Sequence, residues 1–188
     1  MQDKNLCSRY FDNPIIAAVR DIKDLEEALQ SNVSAVFLLT GTLLNIKEMV
    51  LQCKGRKYVF LHADLIEGLD NDLGAIRYLA EAVKPDGIIS TRHNVIKHGK
   101  ELGLCTIQRY FCMDSLALHT GIKAIEQVDP DVVELLPGII PRAVAYMASQ
   151  VKKPIITGGM VTTKNDVVEA LNKGAIAVST SYKALWNK

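Results

Sequence analysis

Two short segments near the carboxyl end of the chain carry the sharpest chemical signal. Gly158-Gly159 closes one apolar run, and Ser179-Thr180-Ser181 closes the next. A glycine pair lets the backbone approach a ligand and present bare N–H groups. A hydroxyl-rich turn that opens a short helix at Tyr182 adds further donors and the positive end of a helix dipole. Together the two segments make a cradle for a phosphate group. Either one alone reads equally as a tight turn or a helix cap. Their pairing at the ends of consecutive runs favours phosphate.

Other chemistry-bearing residues also follow apolar runs. His62, Asp64 and Glu67 form an H-x-D-x-x-E string. Carboxylates at such spacing hold a hard metal ion or accept hydrogen bonds from sugar hydroxyls. His62 shares strand alternation with Phe60 and reads as well as an ordinary interior residue, so Asp64 is kept as a ligand contact and no metal is assigned. Glu134 lies inside the apolar run 132–136, where an unpaired carboxylate is expensive. Either Arg20 or Arg109 neutralises it, or it accepts hydrogen bonds from a polyol. Nucleophilic chemistry has little support. No lysine stands at the end of an apolar run to form a Schiff base, and no G-x-S-x-G elbow occurs.

These residues need elements to position them, and the chain supplies a repeating pattern. Apolar runs at 15–19, 35–39, 58–61, 87–91, 104–108, 132–136, 154–157 and 175–179 are short and rich in branched side chains. They are apolar on both faces, as parallel strands covered on both sides must be. Between them the apolar residues recur three and four apart. Over residues 70–83 Leu73, Ile76, Leu79, Ala80 and Val83 share a face, with Asp70 placed as N-cap. Asp114 is placed to cap the helix carrying Leu116, Ile122 and Ile125, and Pro141 suits a first helical position. A helix over 166–171 ends at Gly174, a left-handed cap, and another is expected over 45–53.

Eight strand–helix units point to a compact (β/α)8 TIM barrel, with the phosphate site after strands seven and eight. An open doubly wound sheet is the alternative, but no G-x-G-x-x-G follows the first run. In a barrel, ligands meet the loops at the carboxyl ends of the strands. Those ends gather Arg20, His62, Asp64, Gln108, Arg109, Glu134, the glycine pair and the Ser-Thr-Ser turn.

Composition sets the outer bounds. The 188 residues are 48% apolar and 23% charged, ordinary for one globular domain over residues 1–188. Lys and Arg number 22 against 21 Asp and Glu, for a net charge of +1. That balance excludes a generally basic surface, so nucleic acid must be met by a local patch. Candidates are Lys54-Gly55-Arg56-Lys57 and the stretch holding Arg92, His93, Lys97, His98 and Lys100; a solvated helix face is the plain alternative. No RRM, KH or helix-turn-helix signature accompanies them. Cys7, Cys53, Cys105 and Cys112 lack C-x-x-C spacing and read as reduced thiols of a cytoplasmic protein. No apolar run is long enough to span a membrane.

The chain resembles the glycerol uptake operon antiterminator family from Pro14 to Trp186. The carrying motifs begin with His62-Ala63-Asp64-Leu65-Ile66-Glu67-Gly68-Leu69, Asp86-Gly87-Ile88-Ile89-Ser90-Thr91 and Thr106-Ile107-Gln108-Arg109-Tyr110-Phe111. They continue in Asp114-Ser115-Leu116-Ala117-Leu118, Glu134-Leu135-Leu136-Pro137-Gly138, Pro154-Ile155-Ile156-Thr157-Gly158-Gly159 and Ala177-Val178-Ser179-Thr180-Ser181. Where the family reads Ala-Gly-Gly-Leu, this chain has Thr157-Gly158-Gly159-Met160, with both glycines kept. The resemblance implies a bacterial cytoplasmic regulator that senses glycerol 3-phosphate and, when loaded, prevents early termination on the leader mRNA of a glycerol operon. It implies no cofactor beyond that effector. Gly158, Gly159, Ser179, Thr180 and Ser181 would hold its phosphate, while Asp64, Glu134, Arg20 and Gln108 would meet its hydroxyls.

An enzyme acting on a phosphorylated triose or glyceryl compound is the competing reading, because fold alone does not choose between them. The missing strand-end lysine weighs against the enzyme, and the missing basic stripe weighs against RNA. RNA contact is therefore expected from the barrel's own loops and helices, or from a homo-oligomer that gathers several weakly basic faces.

Overall fold

Runs that are apolar on both sides stay buried only between a filled interior and a sheath of helices, and the chain uses them in that way. The computed structural model describes residues 8–187. Eight parallel strands form a closed barrel in sequence order. They are β1 (Ile15–Val19), β2 (Ala35–Leu38), β3 (Tyr58–His62), β4 (Gly87–Ser90), β5 (Cys105–Phe111), β6 (Val132–Leu136), β7 (Ile155–Gly158) and β8 (Ala175–Thr180). The barrel closes where β8 pairs with β1, with Ile16 opposite Ser179. The chain therefore has the (β/α)8 TIM barrel expected from its pattern.

The sheath consists of α1 (Leu25–Gln30), α2 (Ile46–Cys53), α3 (Leu73–Tyr78), α4 (His93–Glu101), α5 (Ser115–Val128), α6 (Pro141–Gln150) and α7 (Lys164–Asn172). Their starts follow from local chemistry. Asp114 accepts from Ala117 N at 2.7 Å to begin α5, and Pro141 occupies the first turn of α6. Thr163 and Asp166 form a reciprocal capping box that starts α7 ahead of the expected 166. At α3 the cap is Asp72, which accepts from Ala75 N at 2.8 Å, rather than Asp70. Asp70 lies too far upstream and takes only the N–H of Asn71.

Two cores result from strand alternation. Ile16, Phe37, Phe60, Ile107, Ile156 and Ala177 fill the barrel, joined by Tyr10 and Phe11 from a 3₁₀ turn (Ser8–Phe11). Tyr10 meets Tyr58 edge-on, with ring centres 4.7 Å apart. Since Tyr58 is the first residue of β3, these aromatics plug the amino-terminal end. Residues of opposite parity, such as Val36, Leu61, Ile88 and Val133, pack against the helices.

Two further expectations change. The helix expected at Tyr182 is a 3₁₀ turn, Lys183–Leu185, because Trp186 turns inward and its indole N–H donates to Thr180 O at 2.9 Å. Cys53 and Cys112 are free thiols, and burial pushes Cys53 up to about 11. Cys105 is disulfide-bonded, which corrects the expectation of reduced thiols at that position; it lies at the start of β5 beside the aromatic plug. Cys7 lies outside the described residues. Among those residues no helix is long and apolar enough to cross a membrane.

Candidate functional site

Alternation also decides which polar side chains meet. His62 follows Phe60 by two residues, Arg109 follows Ile107, Glu134 follows Val132, Gly158 follows Ile156 and Ser179 follows Ala177. All five positions therefore face the barrel interior, one layer above its apolar fill and toward the carboxyl ends of the strands. There the packing turns from apolar to ionic. Arg109 Nε donates to Glu134 Oε2 at 2.7 Å, and Ser179 Oγ donates to Glu134 Oε1 at 2.6 Å. Glu134 is fully buried, and Arg109 and Ser179 nearly so. Of the two arginines that could neutralise Glu134, the structure brings up Arg109; Arg20 stands exposed at the end of β1.

Gly158 is what permits this contact. A Cβ there would lie 2.1 Å from Ser179 Oγ and 3.3 Å from Glu134 Oε1. Gly159 continues the chain in a left-handed conformation, φ +77°, and Met160 follows at φ +61°. Gly138, just after the cis Leu136–Pro137 bond, donates its N–H to the carbonyls of Gly158 (2.5 Å) and Gly159 (3.1 Å). The β6 and β7 loops are thereby tied together, with the Gly159 backbone at the rim of the mouth.

The Ser-Thr-Ser turn divides its labour. Ser179 points inward to Glu134. Thr180 has the opposite parity, and its hydroxyl donates to Val161 O at 2.8 Å while accepting from Tyr182 N at 3.0 Å. It pins the loop after β7 instead of lining the mouth. Ser181 is exposed at the rim. With only a three-residue 3₁₀ turn beyond it, the helix dipole expected there has no helix to generate it.

Asp64 lies just past β3, in a 3₁₀ turn (Ala63–Leu65), and bridges to the end of β4. It accepts from Ser90 Oγ at 2.5 Å, Thr91 N at 2.8 Å and Thr91 Oγ1 at 2.7 Å. Burial pushes its carboxyl up, but these hydrogen bonds and His62 outweigh that and hold it below the ordinary value. Burial, reinforced by the Arg109 charge, pushes His62 down to about 4, against the opposite pull of Asp64 and Glu134. His62 is therefore a neutral imidazole at pH 7, and its buried Nδ1 has no hydrogen-bond partner among the described residues. Gln108 points away from this cluster, toward the helices, and its amide N–H groups donate to the carbonyls of Ser90, Thr91 and Arg109.

The structure thus brings together Gly158, Gly159, Ser179 and Glu134 at the mouth, while Asp64 stands on the β3–β4 side, near His62. It leaves Arg20 and Ser181 on the rim and turns Thr180 and Gln108 outward. His62 and Arg109 belong to the same layer, and strand alternation carried that signal in the sequence. Among the described residues no group of three or more His, Cys, Asp or Glu side chains is placed to hold a metal ion. The arrangement has the means to bind a small polar ligand at the β7–β8 edge of a rigid, charged layer.

The comparisons agree with this architecture. Residues 15–186, the whole barrel, match the model of the family described as glycerol-3-phosphate responsive antiterminator. The crystal structure of a glycerol uptake operon antiterminator regulatory protein from Listeria monocytogenes str. 4b F2365 is 42% identical. It superposes with a TM-score of 0.90 over 93% of this chain and 95% of that one. A glycerol uptake operon antiterminator-related protein from Thermotoga maritima MSB8 is 34% identical, with a TM-score of 0.81 over 92% of this chain and 96% of that one. An uncharacterized protein of Escherichia coli (strain K12), YgcP, is 35% identical over 93% of this chain and 92% of its own length. The chain belongs to the glycerol-3-phosphate responsive antiterminator family.

Proposed function

We propose that the protein is a cytoplasmic regulator that binds glycerol 3-phosphate and, in that state, acts on the leader mRNA of a glycerol uptake operon to prevent transcription termination. The observation that carries this reading is the family match over residues 15–186, which covers every strand of the barrel. The mouth supplies chemistry of the right kind. The glycine backbone after β7 and the serine-rich end of β8 suit a phosphate, and neutral His62 and Asp64 offer hydrogen-bonding groups to a glyceryl unit, with Glu134 holding Arg109 and Ser179 beneath them. Phosphate contact is assigned to Gly158, Gly159, Ser179 and Ser181, with Thr180 holding the loop in place.

An enzyme acting on a phosphorylated triose is the weaker reading. Among the described residues no strand contains a lysine, and Glu134 is committed to Arg109 and Ser179. A mobility-shift assay with the operon leader, with and without glycerol 3-phosphate, tests the proposal. A shift that strengthens with the ligand supports it. No shift in either condition overturns it.

A further inference from the structure

The near-neutral chain is not neutral everywhere. The turns that enter the strands form the amino-terminal rim of the barrel, opposite the mouth, and they are rich in lysine and arginine. Lys54, Arg56 and Lys57 precede β3, and Lys84, Lys152, Lys153 and Lys173 lie in the turns before β4, β7 and β8. Of the acids in these entry turns Asp12, ahead of β1, is exposed, and the other three have structural duties. Asp86 accepts from Val59 N at 2.9 Å, and Asp131 accepts from Thr106 N at 2.9 Å and Thr106 Oγ1 at 2.8 Å. Asp129 is held between Lys100 and Lys153. At the mouth the exposed charges are of both signs, among them Arg20, Arg92 and Arg142 and, together after β3, Glu67, Asp70 and Asp72.

A cleft of about 400 Å³ opens on the basic rim, lined by Ser34, Lys54, Gly55, Arg56, Lys57, Tyr58 and Asp86, so three cations face one carboxylate there. Tyr58 is 38% exposed, and its ring sits edge-on to Tyr10, over which the Arg9 guanidinium lies at 5.1 Å. Gly55 adopts φ +76° with nothing within 4 Å of where a Cβ would be, so backbone is bare at the cleft edge. We infer that this rim, centred on Lys54, Arg56 and Tyr58, is where the protein holds single-stranded RNA by its phosphodiester backbone. The inference rests on the RNA-directed function proposed above and names the surface that would carry it.

The chemistry favours a strand of RNA over a small phosphate ester. Basic grooves with an exposed aromatic ring hold single strands by charge and by stacking any base on the ring. The cations continue around the rim beyond the cleft, so they follow a polyanion rather than converge on one phosphate. Lys54 pairs with Asp86 at 3.6 Å and Arg56 holds both Glu26 oxygens, at 3.0 and 3.2 Å, so Lys54 is the more readily freed; both cations are substantially solvent-exposed. Pairs held at the surface are screened by solvent and add little, so a phosphate competes for either cation. Lys57, whose Nζ donates to Ser31 O at 2.6 Å, supports the turn. Ligand and RNA would then sit at opposite ends of one barrel, read through the strands between them.

The test is fluorescence anisotropy of the full chain with labelled leader transcript of its glycerol operon, at several salt concentrations and in saturating glycerol 3-phosphate. The Lys54→Glu/Arg56→Glu variant is expected to bind at least tenfold more weakly, with a shallower salt dependence because fewer counterions are released. Tyr58→Leu is expected to weaken binding about fivefold through lost stacking. Arg142→Glu, on the opposite rim, should bind as the unaltered chain does. Thermal melts and calorimetry with glycerol 3-phosphate establish that each variant is folded and ligand-competent. If the unaltered chain binds the transcript and the rim variant binds it equally well, the rim is refuted and the proposed function stands. An equal loss in Arg142→Glu refutes the rim as well. No binding by the unaltered chain overturns both.

Discussion

Arg109 and Glu134 stand in register on adjacent strands, and their side chains meet at 2.7 Å inside the barrel, where Glu134 has no contact with solvent. Two charges withdrawn from water in this way are tolerable only together. Removing one partner leaves the other buried and unpaired, at a cost of about 3–5 kcal/mol. Arg109→Met and Glu134→Leu should each destabilise the barrel by that order. The double variant should lose much less than their sum, because neither charge remains to be desolvated. Urea unfolding of the four chains measures the coupling. Additive losses would show that the two residues do not act as a unit.

The two glycines after β7 should fail in different ways. At Gly158 a Cβ would collide with Ser179 Oγ, so Gly158→Ala must turn Ser179 off Glu134. Loss of that hydrogen bond to a charged group is expected to lower stability by about 1.5–3 kcal/mol. At Gly159 a Cβ would meet the Leu136 side chain, with Cδ2 nearest at 3.3 Å, but the backbone is left-handed. Gly159→Val should lower stability by about 1–2 kcal/mol through that strain. Its main effect is expected to be a loss of glycerol 3-phosphate affinity of more than tenfold, read by calorimetry. Unchanged affinity would put the phosphate elsewhere.

Thr180 is buried and faces the helices, yet it governs the mouth through the loop that it holds. Thr180→Val keeps the shape and deletes the hydroxyl that Val161 O and Tyr182 N share. Leaving those two groups without their partner should lower stability by about 1–3 kcal/mol. Amide exchange should quicken in residues 159–163, and ligand affinity should fall modestly. Unaltered exchange there would remove Thr180 from any part in positioning the loop.

Much of this was legible because burial on both faces writes strands as dense apolar runs, and all eight were readable. The site was harder for the same reason that the strands were easy. Polar residues at strand ends look like one set, yet successive side chains point to opposite sides. Gln108 and Arg109 are neighbours in sequence, and one faces the helices while the other faces Glu134. An apolar run that stops at 108 conceals this, because a buried arginine reads as the end of a strand. In fact β5 continues to Phe111 on the strength of the Glu134 partner. Ser179 and Thr180 likewise read as one set in the sequence, yet one faces Glu134 and the other Val161. The helix dipole after β8 failed for a different reason: a buried Trp186, which local pattern does not reveal, folds the chain back after three residues.

His62 gives the barrel a pH dependence of defined sign. Unfolded, a histidine takes up its proton near pH 6.5. In the fold His62 resists protonation until about 4, first because it is buried and then because of the Arg109 charge. Between those values the unfolded chain binds more protons than the folded one, so stability falls as the pH is lowered. The slope approaches about 1.4 kcal/mol per pH unit for one group, and the loss reaches about 3 kcal/mol near pH 4. Asp64 acts in a lower window. Despite its burial, hydrogen bonds from Ser90 and Thr91 hold its carboxyl below the ordinary value, so its contribution is complete above that value and lost only as the pH falls through the lower folded one. Urea unfolding between pH 7 and 4.5 should therefore show a falling stability that His62→Asn flattens. Parallel profiles for the two chains would mean that His62 accepts its proton as readily in the barrel as in water, which its place between Arg109 and the apolar fill opposes.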